Sequence, residues 1–301
     1  MILLLGATGL LGGQVLRRLV DKKYPTKLFI RGSSDWKDAS IQNLRHRGVD
    51  ISVADVTDKE AVLSSLVDCT AIINIVGSMR PSKNVDLQDL HVNAVQNLVN
   101  ASQRRGVQRF IHVSCLGASS TAASTYFNTK WQSEKIVKEA EHYWTVFRPS
   151  YMFGERFPFL DVLMPLIKFR MCMPVLGSGM NQIQPVCVDN VADCIVDSIY
   201  RKDCAGQTYD LGGPVTYSMM QFMEKVRAEL GIGGPTFNVP TPTVAKASAA
   251  LTRLVPGSAI NEDVVKLIMA NSFTDSNALE TSFSAKPIAL DQCFERIMDT
   301  Y

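Results

Sequence analysis

The chain has 301 residues, 46% of them hydrophobic and 20% charged, enough to bury a large core and to fill one main domain plus a smaller one. A formal net charge of +2 gives no footing for a nucleic-acid surface, and the densest basic run, Gln103 to Arg109, reads as a solvated helix end. Seven cysteines with no Cys-x-x-Cys pair, and four histidines (His46, His91, His112, His142) without ligand spacing, suit buried thiols in a reducing compartment and exclude a disulfide frame or a metal centre.

The first element is an apolar strand from Ile2 to Leu5 that runs into Gly6-Ala7-Thr8-Gly9-Leu10-Leu11-Gly12. Beyond it Leu10, Leu11, Val15, Leu16 and Leu19 recur at helical spacing. Strand, glycine turn and helix together make a site for a dinucleotide pyrophosphate: a tight turn, close backbone approach, and a helix N-terminus whose free N–H groups face an anion. Gly6, Thr8, Gly9, Leu10, Leu11 and Gly12 are therefore candidate cofactor contacts.

A second strand is expected over 27–31, a third over 49–54, and a helix over 58–66 opened by Asp58. Next come a fourth strand over 71–76, a helix over 85–104, a fifth strand over 109–114, a helix over 124–140 and a sixth strand over 144–148. Strands separated by helix-length segments define an α/β, Rossmann-type doubly wound parallel sheet. Residues 1–150 form its nucleotide-binding domain. Beyond residue 150 a strand is expected over 207–211, a helix over 216–230, and short helices near Leu251 to Leu254, Val264 to Met269 and Cys293 to Met298.

Ligands in such a sheet lie over the carboxyl ends of the strands. At the end of the second strand, where a free 2′-hydroxyl is usually held by an acid, stand Arg31, Ser33 and Ser34. A guanidinium and hydroxyls suit a 2′-phosphate, so NADP(H) is favoured over NAD(H); the alternative has Arg31 in solvent and Asp35 turned to the ribose. Tyr126 and Lys130, four apart, share one helical face just after the strand that ends in Ser114, and an ammonium beside a phenol favours the phenolate.

The Gly-x-x-Gly-x-x-Gly spacing and the Gly-Ala-Thr-Gly wording resemble the extended and atypical members of the short-chain dehydrogenase/reductase superfamily. That resemblance implies contacts of Asp55-Val56 with adenine and a passage of bare backbone at Val76-Gly77 past the nicotinamide ribose. It further implies that Tyr126 exchanges a proton with the substrate oxygen, that Lys130 holds the ribose and lowers the tyrosine pKa, and that Ser114 hydrogen-bonds the reacting carbonyl. Eleven residues separate Ser114 from Tyr126, about half the usual loop. Asn93 is expected to support the fourth-strand turn or, through water, the lysine, and His91 and His112 to be packing residues. Arg148 to Gly154 resembles the turn into the substrate domain, with Pro149 and Ser150 beside the nicotinamide carboxamide. The same family resemblance implies that residues 151–301 form a smaller C-terminal α/β substrate domain, with about 184–202 packing back on the first. Asp189 reads as a helix cap.

Across residues 1–235 the motifs, including 106–114, 184–192 and 209–214, most resemble the branch of the nucleotide-binding accessory subunit of respiratory complex I and its bacterial relatives. Two functional classes follow. One is an oxidoreductase, or epimerase, acting on an unknown small substrate, favoured by the intact Ser114, Tyr126 and Lys130. The other is a non-catalytic NADPH-holding subunit of a membrane assembly; a third reading is an NADP(H) redox sensor. The apolar run from Tyr151 to Val175 fits a core, a substrate pocket or a docking face, and its most apolar part, Phe157 to Ile167, is broken by Pro158, Asp161 and Pro165 and is too short to span a bilayer. With the first strand at Ile2 no leader is expected in the chain as given. The expected location is the cytoplasm, or the matrix side of the mitochondrial inner membrane for a complex I subunit.

Overall fold

The structure is a computed structural model that describes residues 1–32, 43–79, 86–155, 173–229, 231, 233–243 and 262–294. Ser33, Ser34, Asp35, Val85, Leu230, the segment Leu251 to Leu254, most of the Tyr151 to Val175 run and the last part of the Cys293 to Met298 helix lie outside the described residues.

Seven strands form the main sheet: β1 (Ile2–Leu5), β2 (Thr26–Ile30), β3 (Asp50–Val53), β4 (Ala71–Asn74), β5 (Arg109–Val113), β6 (Tyr143–Pro149) and β7 (Gln207–Leu211). Their order is β7-β6-β5-β4-β1-β2-β3, every neighbouring pair parallel. The sheet is the doubly wound kind expected, extended by one strand. β7 comes from beyond residue 150 and runs beside β6 in the register Gln207 to Thr145 through Leu211 to Pro149. β1 and β4, at the centre, are buried at every residue, as strands covered on both faces must be.

One face is covered by α1 (Leu10–Asp21) and α5 (Val188–Ser198), the other by α2 (Lys59–Ser65), α3 (Ala94–Arg105) and α4 (Thr125–Glu139). α2 starts where expected because the Asp58 carboxylate accepts from the N–H groups of Glu60 and Ala61. α3 stops at Gly106, whose φ of 70° is the left-handed conformation that a side chain resists. Before α3 the expected helix is not regular: Asp89–Asn93 forms one π-helical turn.

α5 packs along α1, and Arg18 of α1 reaches Asp189 at 3.0 Å and Asp193 at 2.5 Å, while Lys22 reaches Asp197 at 2.9 Å. Asp189 therefore does not cap its helix; Cys187 holds the cap position and the Asp189 carboxylate is turned to Arg18. A second core gathers Tyr151, Phe153, Met173, Val175, Phe222, Met223 and Ile268 between α6 (Met219–Glu229) and α7 (Glu262–Met269). Among the described residues no helix is long and apolar enough to cross a membrane.

Candidate functional site

A cavity of about 700 Å³ runs over the carboxyl ends of β1, β2, β4, β5 and β6. It lies at the point where the strand order reverses between β1 and β4, the place a doubly wound sheet reserves for its ligand.

The glycine turn forms one wall. Gly6 has φ +86°, and a Cβ there would come within 3.0 Å of the Ile75–Val76 backbone; a Cβ on Gly12 would lie 2.0 Å from the Gly6 carbonyl oxygen. Only glycine lets strand, turn and helix close this tightly. α1 begins at Gly9 with no side chain capping its N–H groups and no acid in its first turn, so its positive end faces the cavity uncompensated. This cradle fits a pyrophosphate.

Arg31 and Asp55 stand at the rim where β2 and β3 end, both exposed. The Asp55 carboxyl sits below its usual range, because it accepts from Thr57 N–H at 2.9 Å and Thr57 Oγ1 at 2.7 Å and faces the Arg31 guanidinium. Val56, Val76, Gly77, Pro149 and Ser150 also line the cavity. Ser150 Oγ is engaged with the Ser272 carbonyl oxygen at 2.7 Å, so its hydroxyl ties the wall to the C-terminal segment. Every expected site residue lies on this cavity except Ser33, which is outside the described residues.

α4 brings in Tyr126 and Lys130. The Lys130 ammonium is buried and donates to the carbonyl oxygens of Val113 at 3.0 Å and Val76 at 3.4 Å, bridging the ends of β5 and β4. Burial lowers its pKa. A Cβ on Gly77 would come within 3.0 Å of Lys130 Nζ, so the bare backbone passes close to the ammonium. Tyr126 differs from expectation. Burial first, then the neighbouring Cys115, holds its phenol well above the ordinary value. The expected lowering by Lys130 does not appear; burial is the dominant influence on the phenol.

Ser114 also differs. Its hydroxyl is buried on the α4 side, near the Glu134 carboxylate but short of a formed hydrogen bond. Glu134 is itself almost fully buried; burial pushes its carboxyl up, but Arg148 at 2.6 and 2.8 Å, Ser114 and Lys138 outweigh that and leave it below the usual range. The group that meets Tyr126 is Cys115, packed with Tyr126 and Phe127. Burial pushes its thiol up to about 12 against the pull of Lys130 and Tyr126, so it is neutral. Side chains alternate along β5, so Ser114 shares the face of His112, which meets Ser133 of α4 at 3.0 Å.

Asn93 is exposed and donates to Asp89 at 2.7 Å rather than to the fourth-strand turn. His91 takes up the Ser78 N–H instead. From beyond the nucleotide motifs α7 adds Leu267, which packs on Cys115 and Phe127, and Tyr151 donates to the Leu267 carbonyl oxygen at 3.1 Å. Sequence reasoning left α7 without a role.

Fold and cradle define an NAD(P)H-binding protein, and the chain belongs to the NAD(P)H-binding family, which matches residues 6–156, half of its length. The alpha subcomplex subunit 9 of mitochondrial NADH dehydrogenase [ubiquinone] 1 from Arabidopsis thaliana is 27% identical over 290 residues, covering 91% of this chain and 71% of the relative. The mouse subunit is 30% identical over 242 residues, covering 79% and 62%. These relatives bear out the resemblance drawn from the motifs. Among solved structures, an NADPH-dependent quinone oxidoreductase from Escherichia coli superposes with a TM-score of 0.78 at 20% identity, covering 98% of this chain and 99% of that one. A nucleoside-diphosphate-sugar epimerase from Staphylococcus aureus gives 0.76 at 17%, with similar coverage. At these identities the likeness is one of fold.

Proposed function

We propose that the protein holds NADPH in preference to NADH and reduces a carbonyl-type small substrate. The observation that carries this reading is the convergence of Tyr126 and Lys130 on the cavity that the glycine turn opens. Arg31, with Ser33 beside it in sequence, supports the 2′-phosphate preference. NADPH, when bound, supplies a hydride. Tyr126, kept as a neutral phenol, gives the proton from its hydroxyl to the substrate oxygen and recovers one from solvent. Lys130 pins the ends of β4 and β5 and offers its remaining N–H to the ribose. The neutral Cys115 thiol packs against Tyr126, whereas Ser114, expected to hydrogen-bond the reacting carbonyl, faces Glu134.

The similarity to complex I subunits favours a second reading, an accessory or assembly subunit that keeps NADPH as a structural element, on the matrix side of the mitochondrial membrane in an organelle or on the cytoplasmic side in a bacterium. Mass spectrometry of gently purified protein for carried-through nucleotide, followed by exchange against labelled NADPH, separates the two. Exchange within seconds to minutes supports turnover; exchange over hours supports the accessory role. Protein that neither carries nor takes up NADPH or NADH overturns both.

A further inference from the structure

After β4 the chain passes along the cavity floor as Ile75 to Met79, and Gly77 sits against the side chains of Lys130 and His91: an added Cβ would lie 3.0 Å from Lys130 Nζ and 3.5 Å from His91 Nε2. The next residue, Ser78, donates its backbone N–H to His91 Nε2 at 3.1 Å. A backbone N–H can only donate, so Nε2 is the acceptor nitrogen and the ring proton resides on Nδ1. Nδ1 therefore donates to Thr129 Oγ1 at 2.9 Å, and Thr129 Oγ1 in turn donates to the Tyr126 carbonyl oxygen at 3.1 Å. The chain of bonds has one polarity, from the loop after β4 into the helix that carries Tyr126 and Lys130.

His91 and Thr129 are each 1% exposed, so these bonds do not compete with water. The His91 ring also stands edge-on to the Tyr126 ring, centroids 5.6 Å apart at 76°. Its backbone lies in the π-helical turn Asp89–Asn93, a costly local geometry found frequently at functional sites. A leucine would fill the same volume. A histidine with both nitrogens engaged joins two elements that each bear on the nicotinamide end of the cavity.

We propose that His91 is a positioning residue for the nicotinamide: its neutral ring fixes the gap between the Val76–Ser78 backbone and the Tyr126–Lys130 edge of α4. His91 is not a base, because its lone pair is already taken by Ser78. This inference rests on the NADPH reading above.

The test compares NADPH with 2′-phospho-ADP-ribose, the same molecule without its nicotinamide, by calorimetry on the intact protein, together with the fluorescence of bound NADPH. His91→Leu is expected to weaken NADPH by more than about tenfold and to dim its bound fluorescence, while 2′-phospho-ADP-ribose binds as it does to wild type. His91→Gln, whose amide can accept from Ser78 and donate to Thr129, is expected to recover most of the loss. Thr129→Val, nearly isosteric, is expected to give a smaller loss of the same kind and keeps the test open if His91→Leu does not fold. Equal weakening of both ligands, or no weakening of either, overturns the positioning role. Wild-type protein that binds neither ligand overturns the cofactor reading itself, and this inference with it.

Discussion

Tyr126 and Arg31 carry the two residue-level expectations. A phenol held well above its ordinary value is protonated at neutral pH, the form that can donate to a substrate oxygen, and burial makes it a weaker donor than a free phenol. Tyr126→Phe keeps the ring against His91 and Phe127 and removes only the proton; in NADPH oxidation with a panel of quinones and ketones kcat is expected to fall by about 10²–10⁴, with NADPH affinity within a few-fold. Equal loss of both would remove Tyr126 from proton transfer. Arg31 is exposed at the rim, where its charge can meet a 2′-phosphate but finds nothing specific in a hydroxyl. In a fluorescence titration Arg31→Ala is expected to weaken NADPH by about 1.5–3 kcal/mol and NADH hardly at all; an equal effect on both would assign the preference elsewhere. The residue types at these positions were legible because a phosphate cradle and a Tyr-x-x-x-Lys face follow from short-range spacing. Cys115 and His91 were not, because what makes them matter is a partner on another element.

α4 shows the same limit at the scale of an element. Its N-cap residue, Ser124, makes no capping bond with its own side chain. The cap comes from α7: Asp263 accepts the Thr125 N–H at 2.5 Å and the Ser124 hydroxyl at 3.2 Å. A carboxylate at a helix start also meets the positive end of the dipole. The start of the helix that bears Tyr126 is thus fixed from 138 residues away in the chain. Asp263→Ala is expected to lower stability by about 1 kcal/mol in urea denaturation and to speed hydrogen exchange at the Thr125 amide. An unchanged exchange rate would mean that α4 is held by its packing alone.

For the whole molecule the buried histidines contribute to the response to acid. Burial first, then Lys130 and His112, bring the His91 pKa down to about 2, and burial with Lys130 and Lys138 holds His112 well below its usual value. In the unfolded chain both titrate near about 6.5. Below that pH the unfolded state binds protons that the folded state refuses, so stability is full above it and is lost as the pH falls. Between pH 7 and pH 5 each histidine is expected to cost about 2 kcal/mol, together about 4 kcal/mol, in the free energy of unfolding. Denaturation curves at the two pH values measure it. His112→Asn should remove about half of the difference, and a flat profile would mean that the histidines charge in place.

Alternation of apolar strands and helices, the glycine turn and the Tyr126–Lys130 face lie within single elements or at their junctions, where neighbouring residues decide the backbone. For that reason the sequence by itself determined the parallel sheet, the nucleotide cradle at its switch point and about half of the cavity's lining. Most strand and helix ends moved by a residue or two, the start of α3 by more, because local bonds such as that of Asn74 Oδ1 with the Val76 N–H, which turns the chain out of β4, have no signature in periodicity. What only the tertiary structure decided is which way each polar group faces: Ser114 toward Glu134, Cys115 toward Tyr126, Asp189 toward Arg18, Asp263 onto the start of α4. Each of those choices is settled by burial and by partners from distant segments. A buried donor or acceptor must find its partner wherever the fold brings one, and spacing along the chain carries no record of that search.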